Sequence, residues 1–311
     1  MKTILHIGAH RTGTTTFQSY LQRNRAILQG QGIACWGPWI TRKGLFAGVA
    51  QPTPTARRSA MGRARGRLAL RRQKIKWDLG ARTLVVSDEN IMGTMARNMR
   101  QQNLYDDVGE RVARFVAAFD GDVQEIVVSI RALDHYWSSV AAYHVARGHS
   151  VPDRAILSRI SRARRTWRDV ISDVACAAPL ARIQVLPFER FTGQPDAQLA
   201  AIMGRTAPQD TALEWRNRRP SIAQLRTVLS ERGDHPGQVN GPGDRWSPLL
   251  RAEASALREA YADDMFWLTA GAGGLATLTE DLDRTEAEWP NDPLTRGQHD
   301  DFKERRMAQP R

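Results

Sequence analysis

The sequence predicts an α/β fold: a doubly wound, mainly parallel sheet with helices on both faces and a helical C-terminal part. Three observations lead there. Short apolar runs of strand length alternate with stretches of helical periodicity through the first 190 residues. The first such run enters a glycine-bearing turn that opens directly into a helix. The chain is 311 residues long, 41% apolar and 25% charged, which suits one substantial core and argues against wholesale disorder.

Ile4, Leu5 and Ile7 mark the first strand, and Phe17, Tyr20, Leu21 and Leu28 recur at helical spacing after the turn. Residues 36–76 contain Pro38, Pro52, Pro54 and a basic run, RRSAMGRARGRLALRRQKIK, and read as an insertion or lid over about 40–77 with helix late in it. TLVVS at 83–87 is the second strand, and Val108, Val112, Phe115, Val116 and Phe119 lie on one face of a helix. QEIVVSI at 124–130 is the third strand, with a helix from Leu133 to Val145 after it. Arg182–Leu186 reads as a fourth strand, followed by helices near 196–204, 221–232 and 248–262. One domain over 1–278 and a polar tail over 279–311 with nine acids complete the expected organisation.

The charge is polarised. Residues 1–77 hold 15 Lys or Arg and no acid, the first being Asp78, while the remainder holds 30 basic and 33 acidic side chains. The net +12 therefore belongs to the first quarter, which favours an anionic ligand there. Forty of the 45 cations are Arg, a bias that explains Arg over Lys but not the missing acids. Two cysteines, Cys35 and Cys176, are too few for a disulfide framework or a zinc site, and no run reaches the length of a membrane span. The opening MKTILHIGAH does not read as a secretory signal, so a cytoplasmic location is expected.

Gly8-Ala9-His10-Arg11-Thr12-Gly13-Thr14-Thr15-Thr16 lies between strand and helix, where unpaired helix N–H groups favour an anion. The spacing Gly8 to Gly13 is that of a nucleoside-triphosphate loop, G-x-x-x-x-G-K-[ST], but Thr14 stands where that loop has its Lys. ATP hydrolysis or a kinase reaction thus loses its main phosphate contact.

The stretch HIGAHRTGTTTFQSYL resembles the 5′-phosphosulfate-binding loop of sulfotransferases that use 3′-phosphoadenosine-5′-phosphosulfate (PAPS), whose bacterial members look like IGAHKTGTTxxQxxL. Gln18 and Leu21 fall in the pattern; Arg11 replaces the usual Lys, a planar fork in place of a compact ammonium. The resemblance implies a P-loop-type sheet, PAPS as sulfuryl donor, and Gly8, Arg11, Thr12, Gly13, Thr14 and Thr15 as donor-binding residues. The same family places an Arg at the end of its third strand and a Ser eight residues later on the 3′-phosphate. Here they are Arg131 and Ser139.

Sulfuryl transfer proceeds through a loose transition state and depends on positioning and charge stabilisation, with a base to take the acceptor's proton. Glu89, after the second strand in TLVVSDEN, is the candidate base, its alternative role being a pair with a nearby Arg; carbohydrate sulfotransferases use a Glu in a similar place. His10 is the rival base, and Arg11 would neutralise charge on the leaving phosphate. His6 reads as a core imidazole. Arg218 and Arg219, before the helix that starts near Ser221, either return over the 3′-phosphate or form an ordinary loop. Trp36 and Trp39 could stack on a sugar or pack in the core. No metal is expected. The acceptor is a hydroxyl or amine, on a small molecule or a carbohydrate, and no specific nucleic acid is expected. The alternatives are another P-loop kinase or nucleotide hydrolase, and a non-enzymatic polyanion-binding protein.

Overall fold

The computed structural model describes residues 1–50, 57–209 and 216–279. The residues from 280 onward, which hold nearly all of the predicted tail, lie outside the described residues. Among the described residues, six strands form one sheet: β1 (Lys2–His6), β2 (Ile33–Trp36), β3 (Thr83–Ser87), β4 (Glu125–Ile130), β5 (Arg182–Pro187) and β6 (Thr277–Leu278). Every ladder between them is parallel, in the order β2-β3-β1-β4-β5-β6. The sequence predicts four of these. IACW in β2 is an all-buried edge strand of four residues, and β6 has two, so neither is long enough to display a period.

The helices that precede β4 are α1 (Thr14–Arg23), α2 (Arg25–Gly30), α3 (Pro38–Ile40), α4 (Arg57–Leu79), α5 (Met95–Gln101) and α6 (Val108–Ala118). Those that follow are α7 (Leu133–Ala146), α8 (Arg154–Ser161), α9 (Trp167–Ala177), α10 (Phe188–Phe191), α11 (Pro195–Met203), α12 (Ile222–Glu231) and α13 (Arg251–Thr269). The apolar spacing from Phe17 to Leu28 spans two helices rather than one, because Asn24 breaks the run and turns its side chain back onto the Tyr20 carbonyl. The basic run belongs to α4, whose Ala60, Ala64 and Leu68 are buried; the latter two share a core with Leu84 and Val86 of β3.

Alternation along β1 sends neighbouring side chains to opposite faces. Leu5 and Ile7 meet Val108, Val112 and Phe115 of α6, whereas Ile4 meets Phe17, Tyr20 and Leu21 of α1. Trp36 is buried in the first of these cores beside Phe119, the packing outcome and not a sugar platform. A smaller cluster joins Ala141 and Val145 of α7 to Leu225 and Leu229 of α12. After β3 the chain steps over β1 to form β4, so the direction of winding reverses at β1. Ligands of open α/β sheets bind at such a switch point, outside the carboxyl ends of the strands. The predicted glycine loop and Arg131 both start from that edge.

Candidate active site

The chain stays paired to β4 beyond β1: the Ile7 and Ala9 amides donate to the Val127 and Ser129 carbonyls, each at 2.9 Å. Gly8 lies between them where a side chain would crowd its neighbours. A Cβ there would stand 3.0 Å from Thr14 Cγ2 and 3.1 Å from both His6 Nε2 and Ser129 Cβ. The Thr12 hydroxyl donates to the Ala9 carbonyl at 2.6 Å and closes the turn. Gly13, at φ +74°, occupies the left-handed region just before α1. Arg11 is also left-handed at φ +67°, a conformation that costs a non-glycine residue about 1 kcal/mol or more and clusters at functional sites. Among the described residues, no side chain caps the N-terminus of α1, and no acid lies in its first turn, so its amides face the loop.

The second half of the site comes from β4 and α7. The Arg11 Nε donates to the Ser139 hydroxyl at 3.0 Å, and Arg131 Nη1 donates to the Arg11 carbonyl at 2.9 Å. Two motifs 120 positions apart thus meet at one point. The Arg11 guanidinium lies over the Tyr143 ring at 5.0 Å, with Arg147 at the same distance from that ring, and Arg131 lies over Phe188 at 4.7 Å. Burial, then the charge of Arg131, lowers the pKa of Arg11 to about 10. Burial also lowers Arg131, although Glu189 works the other way. Among the described residues, the buried Nε of Arg131 has no hydrogen-bond partner. Two neighbouring guanidinium side chains place positive charge and hydrogen-bond donors at this point, which is chemistry that can hold an anion.

The carboxylate side lies across the loop. Glu89 follows β3 and accepts at 2.8 Å from both Gln18 Nε2 and Arg42 Nη2. Burial opposes its charge, but Arg42, Gln18 and His10 outweigh burial and hold its pKa below the ordinary carboxylate value. Glu89 is therefore ionised at neutral pH. Arg42 also reaches Asp88 at 2.8 Å; burial opposes its charge, and the two carboxylates overcome that and raise its pKa. Asp88 is turned toward Thr41, whose hydroxyl it accepts at 2.5 Å, and caps the turn at Asn90.

His10 has both nitrogens engaged. Asn98 donates to the Tyr136 hydroxyl, Tyr136 to Tyr105, and the Tyr105 hydroxyl stands 2.9 Å from both the His10 amide and His10 Nδ1. That relay sends the Tyr105 proton to Nδ1, leaving Nε2 as the N–H, 3.3 Å from Asn90 Oδ1. Burial lowers the pKa of His10, so the ring is neutral. His6 lies beneath the loop, fully buried, with Nδ1 2.8 Å from the Ser87 hydroxyl and Nε2 3.2 Å from that of Ser129. Burial lowers its pKa to about 4.

The late loop also returns to the site. Asn217 Nδ2 donates to the Thr15 hydroxyl at 3.0 Å and the Arg216 amide to Thr16 at 3.2 Å. Beside Asp88 and Asn90 opens a cleft of about 250 Å³, lined also by Arg42, Phe46, Ala47, Ile91 and Phe115, among others.

Arg42, Tyr105 and Tyr143 are not singled out by the sequence, whereas Asn217 opens the late segment that holds Arg218 and Arg219. Tyr143 carries a readable signal, one helical turn beyond Ser139 on the same face. Arg42 and Tyr105 carry none, since only the fold brings them to residues 47 and 95 positions away.

No protein-family model matches the chain, and no curated protein matches it. Among solved structures, the crystal structure of a sulfotransferase from Alicyclobacillus acidocaldarius is similar at 14% identity. The likeness covers 83% of this chain and 96% of that one, with a TM-score of 0.41.

Proposed function

We propose that the protein is a PAPS-dependent sulfotransferase acting on a hydroxyl or amine acceptor. The observation that carries the proposal is the meeting of Arg11, Arg131 and Ser139 beside a glycine loop that lacks the nucleoside-triphosphatase Lys. Two half-buried guanidiniums suit a ligand with a second phosphate far from its reacting end. Arg131 and Ser139 would hold that 3′-phosphate, with Arg131 Nε as the spare donor. The loop from Gly8 to Thr15 and the amides opening α1 would hold the 5′ side. When bound, PAPS would supply the sulfuryl group: the bond from sulfur to the 5′-phosphate oxygen breaks and 3′-phosphoadenosine-5′-phosphate leaves with the electron pair. Arg11, placed between the two ends of this cradle, offsets the charge that develops there.

Glu89 is the group that takes the acceptor's proton. It is ionised at neutral pH, and Gln18 and Arg42 fix its orientation. His10, with Nδ1 committed to Tyr105, acts as a hydrogen-bond donor through Nε2. The acceptor would enter through the cleft beside Arg42 and Asn90. Its apolar floor of Phe46, Ile91 and Phe115 suits an acceptor with a neutral, partly apolar body.

Calorimetry with 3′-phosphoadenosine-5′-phosphate, ATP and random DNA tests the proposal. The bisphosphate should bind at least tenfold more tightly than ATP, and labelled sulfate should pass from PAPS to phenolic or sugar alcohols. Preference for ATP, or DNA binding with a steep salt dependence and no nucleotide affinity, would overturn it.

A further inference from the structure

The outward face of α4 is unlike the other helix surfaces near the site. The helix holds nine Lys or Arg in 23 residues against one acid, Asp78, which pairs with Lys74 at 2.6 Å. Its inward face is settled, with Ala60, Ala64 and Leu68 buried and Arg72 paired with Asp122. Outward, Leu70 is 72% exposed and Trp77 is 74% exposed. Seven residues separate them, so they share one face about 10 Å apart along the axis. Arg63 lies in the same stripe, and Arg71 and Lys76, both exposed, flank it. Large apolar side chains set among cations fit a surface that is negative outside and apolar a few ångströms below. No helix among the described residues is long and apolar enough to cross a membrane, so such a surface would be met from one side.

We propose that α4 is a docking surface for an anionic lipid bilayer, with Leu70 and Trp77 entering the interface and Arg63, Arg71 and Lys76 contacting the headgroups. A nucleic acid offers charge and stacking for Trp77 but no partner for Leu70, which is why the bilayer is favoured. The helix also borders the cleft: Arg67 donates to the Ala47 carbonyl, and Ala47 lines the cavity beside Arg42. Docking there does not depend on which group the protein transfers.

The test is co-sedimentation of the full chain with phosphatidylcholine vesicles, with and without phosphatidylserine, across a salt series. Binding should require phosphatidylserine and weaken with salt. Arg71→Gln and Lys76→Gln should each weaken it on the order of fivefold. The double variant Leu70→Gln/Trp77→Gln should lose binding in low salt with its thermal unfolding unchanged, because both side chains are exposed. Should that variant unfold, Trp77→Phe gives an independent reading: vesicle binding persists while quenching by brominated acyl chains falls. Absence of phosphatidylserine-dependent binding overturns the proposal. So does full binding by the folded double variant, or tighter binding to RNA than to vesicles that ignores Leu70 and Trp77; either result leaves a surface that reads charge alone.

Discussion

Acidification should loosen the floor of the site through His6. The ring is fully buried between β3 and β4 partners and beneath Gly8, so folding holds it neutral, with its pKa lowered from 6.5 to about 4. In the unfolded chain the same imidazole protonates near 6.5. Between these two values the unfolded state binds a proton that the folded state refuses, so stability falls as pH falls through that window and changes no further below it. The full drop is worth about 3 kcal/mol, a large share of a typical folding free energy. Urea unfolding at pH 7, 6, 5 and 4 should therefore show a steeper loss for the parent protein than for His6→Gln, which keeps a polar group but cannot titrate. The gap between the two should close by about 3 kcal/mol on going from pH 7 to 4. Parallel pH profiles would refute the reasoning, as would an imidazole that titrates above 6 in the folded protein.

Glu89→Gln should lower kcat by about 10²–10⁴ while leaving bisphosphate affinity unchanged, as measured by sulfate transfer and calorimetry. In Arg42→Ala, burial of Glu89 is left less opposed, so its pKa rises and the acid limb of the activity profile should move to higher pH. Arg131→Ala should weaken bisphosphate binding by about tenfold to a hundredfold, with a smaller effect on a ligand that lacks the 3′-phosphate. Gly8→Ala forces a Cβ against Thr14, His6 and Ser129. It should cost about 1–3 kcal/mol in chemical denaturation and abolish nucleotide binding.

The local parts of this site are written in the sequence. A strand, a glycine turn and a helix need only neighbouring residues, and so do Arg131 at a strand end and Ser139 two turns into α7. The split of Phe17 to Leu28 at Asn24 and the short edge strands β2 and β6 were not legible, because a break or a two-residue ladder leaves no periodic trace. Glu89 could be named as an acid at a strand end, but not the Arg42 and Gln18 that hold it.

Tertiary structure alone decided which residues meet. The strand order sets β1 between β3 and β4, and that adjacency carries Arg11 to Ser139 and His10 to Tyr105, across 128 and 95 positions, while the loop before α12 carries Asn217 to Thr15 across 202. Periodicity and turn chemistry act over a few residues, whereas these contacts follow from how the sheet is wound. The sequence therefore determined the cradle's components, and packing determined their partners and their protonation.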